Sequence, residues 1–199
     1  MQIAAVVGLG NPGEEYADTR HNVGFQVADE LARRWRLLSW RSRYRARLAR
    51  RAGGNSTILV KPQAYMNLSG DVFALFCEGE EVVPAQCLVV GDDVELPLGQ
   101  LRLRASGGPG THNGLRSIVE AAGEGFPRLR LGIRGARPWE DLAEYVLAPF
   151  EESERETVSE MITRAADCVE AAVRIGVSRA ATQFNQVATV ADAIEITRR

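Results

Sequence analysis

The sequence predicts one α/β domain built on a largely central sheet. Short apolar strand-like runs alternate with amphipathic helical stretches, and 199 residues suffice for one domain around one core. No internal repeat, low-complexity tract or long linker divides the chain, so residues 1–199 read as one unit.

Taken in order, Ile3–Val7 is a buried strand that runs into a glycine turn. Val23 to Leu37 is an amphipathic helix, with Val27, Leu31 and Trp35 spaced at i, i+4, i+8. Arg43–Arg50 alternates around Tyr44, Ala46 and Leu48, and Ser56–Val60 is a second apolar run, so the two suggest a hairpin across Gly53-Gly54-Asn55. Pro62 stops that strand, and Leu68 to Phe76 is helical behind Asn67 as a candidate cap. Cys87–Val90 is another buried strand, predicted to end at Gly91-Asp92-Asp93. Gln100–Arg104 alternates apolar and basic. The loop Ser106 to Gly110 then leads through His112-Asn113 into a helix reaching about Ala122. Leu129–Ile133 is strand-like, and the apolar face between Glu152 and Ile175 makes a long helix.

Cys77, Cys87 and Cys168 are odd in number and form no CxxC, which predicts reduced, part-buried thiols in a reducing compartment. The N-terminus lacks a basic region followed by a long apolar core, and no apolar run approaches a membrane span. A soluble cytoplasmic protein is expected.

The net charge of −2 hides an uneven distribution. Lys61 is the sole lysine, and nine arginines but no acid lie between Arg33 and Arg51. Further arginines stand at 102, 104, 116, 128, 130, 134 and 137, while acids gather from Glu151 to Glu160. A solvated face and a polyanion-binding face both fit this pattern; arginine's bidentate fork suits phosphate. Trp35 and Trp40, beside arginines, are candidates for base stacking, although helix packing accounts for Trp35.

The chemistry concentrates in Gly8 to Asn22, GLGNPGEEYADTRHN, which gathers Asn11, Tyr16 and His21 within fifteen positions. His21 is one of only two histidines, and imidazole takes up a proton near neutral pH without special tuning. The same stretch satisfies GxGxxG after a strand. A dinucleotide site needs a helix to begin within the glycines, and here Pro12 and Glu14-Glu15 intervene. No GxSxG, HExxH, Walker A loop or clustered His/Cys set occurs. What remains is His21, the pair Asp92/Asp93, and the asparagines Asn11, Asn67 and Asn113. Such a set can activate water and steady an oxyanion.

Five segments in register, GLGNPGEEYADTRHNVG, KPQAYMNLSG, GDDVELPLG, SGGPGTHNG and RLRLGIRG, together resemble the bacterial peptidyl-tRNA hydrolase family, from about residue 3 to Phe150, with a weaker echo in Arg179 to Asn185. The resemblance implies a monomeric α/β domain, a twisted mixed β-sheet flanked by α-helices. It also implies hydrolysis of the ester joining a peptide to the 3′ ribose of tRNA, with no cofactor and no metal. The partner is then peptidyl-tRNA, bound at its acceptor end and CCA terminus. By the same likeness His21 is the catalytic base and Asp92 its carboxylate partner, Asp93 being the adjacent acid. Asn11 is the turn asparagine beside the histidine, Asn67 and Asn113 are the substrate-holding amides, and Tyr16 and Met66 line the cleft. Arg104 and Arg130 match basic positions that suit tRNA phosphate. His112 reads as structural, placed before Asn113 at a helix start.

The chain departs from its likeness in ARPWEDLAE, Ala136 to Glu144, which is acidic where relatives often carry lysines. Pro109 and Thr111 depart in the glycine loop, which bears on its mobility more than on the chemistry. Two other functions compete: a non-catalytic RNA-binding splicing scaffold on the same fold, and a dinucleotide-dependent oxidoreductase. The intact set His21, Asp92, Asn11, Asn67 and Asn113 favours catalysis.

Overall fold

The computed structural model describes residues 2–51, 53, 56–136 and 138–185. Its strands are β1 (Ala5–Gly8), β2 (Arg41–Arg43), β3 (Ala46–Arg51), β4 (Thr57–Pro62), β5 (Cys87–Pro97), β6 (Leu101–Arg104) and β7 (Arg128–Arg134). They form one sheet in the order β2-β3-β4-β1-β5-β7-β6. The centre, β4-β1-β5-β7, is parallel, and antiparallel strands finish both edges. The sheet is therefore mixed, as the resemblance implies.

The central strands are apolar without alternation because both their faces are covered. Val6, Leu59, Leu88 and Val90 point to one layer, packed under α1 (Val23–Arg34) and α5 (Arg155–Ile175). Their neighbours Ala5, Val7, Ile58, Val60 and Val89 point to the other, under α2 (Ser69–Glu80) and α3 (Asn113–Ala122). Two short helices complete the set among the described residues, α4 (Leu142–Leu147) and α6 (Val177–Phe184). Asn185, at the end of the weaker echo, accepts from Leu103 N–H at 2.7 Å and donates to Leu103 O at 2.9 Å, pinning the end of α6 to edge strand β6.

The structure corrects the sequence reading in three places. Arg43–Arg50 is not one strand: Tyr44 and Arg45 take positive φ of 55° and 53° and make the tight turn between β2 and β3. Tyr44 is held there by its hydroxyl, which donates to Gly79 O at 2.6 Å, and by its ring edge against Phe76. The β3–β4 hairpin forms as expected, although Gly54 and Asn55 of its turn lie outside the described residues. Asn67 does not cap α2. It sits in a 3-10 turn, Met66–Leu68, that feeds the helix, and it stays exposed. Finally, β5 does not stop at Gly91 but continues to Pro97, pairing Asp92 with Leu131 and Asp93 with Gly132 of β7. Both aspartates are thus fixed inside a buried strand.

Candidate active site

The site lies beyond the carboxyl end of β1, where the chain leaves Gly8 and returns through Asn22 into α1. The glycines serve close packing. A Cβ on Gly8 would stand 2.2 Å from Gly24 O, and one on Gly24 would stand 2.4 Å from Val90 O. Helix α1 begins at Val23, ten residues beyond Gly13, the last glycine of the motif, and not among the glycines. The geometry of a dinucleotide site is therefore missing.

Asn22 folds the turn back on itself. Its Oδ1 accepts from Asn11 N–H at 2.8 Å and its Nδ2 donates to Asn11 O at 3.0 Å. Asn11 Oδ1 in turn accepts from Met66 N–H at 2.8 Å. That leaves the Asn11 Nδ2 amide as its donor toward the cleft. Asn22 stood in the quoted motif with no role assigned; an asparagine closing a turn on another asparagine's backbone has no spacing signature.

His21, in the 3-10 turn Arg20–Asn22, is 5% exposed and its Nδ1 lies 2.7 Å from Asp92 Oδ1. Asp92 also receives His112: Nε2 to the same Oδ1 is 3.0 Å. Burial pushes the Asp92 carboxyl up, but the electrostatic attraction and hydrogen bonds of the His112 and His21 rings outweigh it and hold the group well below the usual carboxylate range. An ionised carboxylate only accepts, so both ring nitrogens donate to it. His21 therefore carries its proton on Nδ1 and leaves Nε2 as an acceptor.

His112 does more than the structural role read from sequence. Its Nδ1 accepts from Gly114 N–H at 3.0 Å and Leu115 N–H at 3.2 Å, capping α3. That role fixes the proton on Nε2, where it faces Asp92. The cap was legible in His112-Asn113; the bond to Asp92 required β5 to run on past Gly91. His21, Asp92 and His112 also bring one ligand-type atom each within 4.8 Å of one another. Both histidine nitrogens already share one carboxylate oxygen, so a cation there has to displace that bonding.

The cleft in front of His21 has a volume of about 690 Å³. Asn11, Tyr16, Met66, Asn67, Asn113 and Arg130 all line it, so the structure brings these predicted residues together with the His21–Asp92 pair. Asn67 and Asn113 are exposed, and Asn113 Oδ1 accepts from Arg116 Nη1 at 3.0 Å, leaving its amide to donate. Arg104 stands apart, exposed at the end of β6.

Arg130 is held within the fold: Nη1 pairs with Asp93 Oδ2 at 2.9 Å and Nη2 donates to Gly108 O at 2.6 Å. Asp93 is thus not the partner of His21. Arg128 also donates to Gly108 O, at 3.1 Å, so the glycine loop is tied to β7 by two guanidinium groups. Burial, then the neighbouring Arg130, pull Arg128 down to about 10, still cationic at neutral pH.

Sequence reasoning missed the far wall of the cleft. Leu142, Val146 and Leu147 of α4 line it, the first within the segment noted for its acidity and the other two just past it; Arg137 of that segment lies outside the described residues. Arg20, beside His21, fixes α4: its guanidinium lies 4.5 Å from the Tyr145 ring centre and 4.6 Å from that of Phe150, and pairs with Glu154 at 2.7 Å. The arginine stripe is also less open than its sequence suggests. Arg33 and Arg34 pair with Glu30, Arg43 and Arg50 with Glu80, and Arg51 lies over Trp35. Trp35 is a packing residue whose indole donates to Glu170 at 2.8 Å, and Trp40 lies under Lys61.

The family model described as peptidyl-tRNA hydrolase matches residues 5–192. A peptidyl-tRNA hydrolase of Roseiflexus sp. is 46% identical over 183 residues, covering 90% of this chain and 84% of the relative. One from Aquifex aeolicus is 43% identical over 192 residues, covering 94% and 98%. The crystal structure of peptidyl-tRNA hydrolase from Acinetobacter baumannii superposes with a TM-score of 0.85 at 34% identity, covering 92% of this chain and 94% of that one.

Proposed function

The chain belongs to the peptidyl-tRNA hydrolase family and hydrolyses peptidyl-tRNA, and we propose that it does so by water attack with His21 as general base. The observation that carries this reading is the Asp92 Oδ1–His21 Nδ1 bond of 2.7 Å, because it leaves His21 Nε2 as the proton acceptor. An acyl ester on ribose is an activated electrophile, so no covalent nucleophile is needed. Water oxygen bonds to the carbonyl carbon as its proton passes to Nε2. The resulting imidazolium, steadied by Asp92, then returns that proton to the departing 3′ oxygen. The products are a peptide with a free carboxyl group, which ionises by releasing its proton to water, and tRNA with a 3′ hydroxyl.

Asn11 and Asn113, each with its carbonyl already engaged, are proposed as amide donors to the developing oxyanion. Asn67 and Asn113 are further proposed to hold the peptide backbone next to the ester, with Tyr16 and Met66 as cleft walls. A neutral amide matches donors and acceptors there, whereas the ammonium of an unblocked aminoacyl-tRNA leaves amide donors mispaired. The tRNA is proposed to approach by its acceptor end and CCA terminus, with Arg104 contacting phosphate and Arg130 contributing charge from its fixed place at the cleft.

We further propose that the protein acts as a monomer of one domain in the cytoplasm; no helix of the described residues is long and apolar enough to cross a membrane. Nothing favours the non-catalytic scaffold, since the His–Asp pair and the three amides stand together.

The test is release of acyl-amino acid from N-acetyl-aminoacyl-tRNA, with unblocked aminoacyl-tRNA and the His21→Ala protein as controls. Turnover of the blocked substrate alone, lost in the variant, is expected. Equal turnover of both substrates would overturn the selectivity argument, and activity surviving in His21→Ala would overturn the base.

A further inference from the structure

Away from the cleft, two thiols ten positions apart lie in contact, with Cys77 Sγ and Cys87 Sγ at 3.9 Å. Their spacing gives no sign of this; the fold makes it. Cys77 sits in the last turn of α2. The helix ends at Glu81 in the left-handed conformation, φ 54°, and Val82 N–H donates back to Cys77 O at 3.0 Å. A 3-10 turn over Pro84–Gln86 then reverses the chain into β5, whose first residue is Cys87. Cys87 is fully buried at 0% exposure, whereas Cys77 is part-exposed, so a reagent in solvent meets Cys77 first.

We propose that Cys77 and Cys87 form an oxidative modification site, at which a low-molecular-weight disulfide drives closure of an intramolecular disulfide between α2 and β5. The Cys77 thiolate attacks one sulfur of the small disulfide, forming a mixed disulfide and expelling one thiolate. The Cys87 sulfur then attacks Cys77 Sγ as its proton passes to the departing thiolate, forming the Cys77–Cys87 bond and expelling the second thiol. Two protein thiols are oxidised, one small disulfide is reduced to two thiols, and the two protons go to the departing thiolates.

Reactivity runs in the required order. The hydrogen bond from Cys87 lowers the Cys77 thiol below its ordinary value against the opposing effect of burial. The same contact, then burial, pushes Cys87 up; it is the resolving thiol because it is buried behind Cys77, where a reagent in solvent does not reach it. Bond formation brings the sulfurs about 2 Å closer than their present contact, in a covalent loop short enough to restrain the unfolded chain. Cys87 is five residues from Asp92 along a continuous strand, about 16 Å, so this site is separate from the cleft. Cys168 lies buried on α5, in the opposite layer, and serves as an internal control.

The experiment is to incubate the purified full-length protein with glutathione disulfide, block remaining thiols, and map the peptides by mass spectrometry. The expected product is a Cys77–Cys87 linked peptide, lighter than the reduced pair by two hydrogens, restored to free thiols by dithiothreitol, with Cys168 unlinked. Cys87→Ser should stop at a stable glutathione adduct on Cys77, and Cys77→Ser should give neither product. If Cys87→Ser fails to fold, the wild-type map decides alone. A persistent glutathione adduct on Cys77, a Cys77–Cys77 dimer, or an unreacted pair in protein that reacts once denatured would each overturn the proposal.

Discussion

His21 and His112 meet on one atom, Asp92 Oδ1, at 2.7 Å and 3.0 Å, with ring centres 4.8 Å apart and tilted by 42°. The relay has a direction. Two amides at the start of α3 fix the His112 tautomer, His112 donates to Asp92, and Asp92 fixes the tautomer of His21. The start of α3 thereby sets the tautomer of the base that stands just before α1.

His21→Ala should lower kcat by about 10²–10⁴-fold, the usual contribution of a positioned base, while tRNA binding changes little. Steady-state kinetics and filter binding on the same preparation separate the two effects. Equal losses in both would remove His21 as the base. Asp92→Asn should lower kcat as well, because an amide can donate to Nδ1 and favour the wrong tautomer.

His112 carries two roles that different substitutions separate. His112→Ala loses both the cap on α3 and the bond to Asp92, and should cost roughly 1–2 kcal/mol of stability together with a fall in kcat. His112→Asn restores an N-cap side chain without reaching Asp92. Its stability in urea is expected to recover while kcat stays low. Recovery of both in His112→Asn would show that the bond to Asp92 has no part in turnover.

Acidification should weaken the fold through Asp92. Its carboxyl is held low in the folded state, so the unfolded chain takes up that proton first. The stabilisation is complete above the unfolded value of about 3.9 and is lost as pH falls from there through the folded value. Urea unfolding over this acid range should fall off more steeply for wild type than for Asp92→Asn. Glu30, held down at about 2 chiefly by its hydrogen bond with the exposed Arg33, contributes a share that added salt removes. A difference between wild type and Asp92→Asn that disappears in salt would assign the effect to surface pairs instead.

The parts of this protein legible in its sequence are those set by local pattern. Continuous apolar runs marked β1 and the start of β5, the 3.6-residue period marked α5, and the likeness of five segments gathered His21, Asp92 and the three asparagines. The rest depended on pairing. Gly91-Asp92-Asp93 has the composition of a strand end, and only its partnership with β7 keeps it extended and buries both acids. Asn22, Arg20 and His112 act through partners 11, 134 and 20 positions away, a distance that no local period encodes. The arginine stripe misled in part for the same reason, since Glu80 and Glu170 lie 30 and 136 positions from Arg50 and Arg34, whereas Glu30 stands at helical spacing just before the stripe.

Arg104 and Arg130 were grouped by sequence as phosphate contacts, and their surroundings predict different phenotypes. Arg130 is 14% exposed at its side chain and pairs with Asp93, which is 4% exposed. Removing it leaves a buried carboxylate without its cation, so Arg130→Met should destabilise the fold by about 3–5 kcal/mol. It also removes one of the two guanidinium holds on Gly108, which should alter kcat and KM together. Arg104 is exposed at a strand end, so Arg104→Ala should change stability by no more than about 0.5 kcal/mol. Its effect should fall on KM, and the salt dependence of tRNA binding should lose about one phosphate contact. Thermal melts and kinetics of both variants at two salt concentrations decide the matter. A stable Arg130→Met with only KM raised would make Arg130 a direct phosphate contact like Arg104, and an unchanged salt slope in Arg104→Ala would take Arg104 out of the tRNA interface.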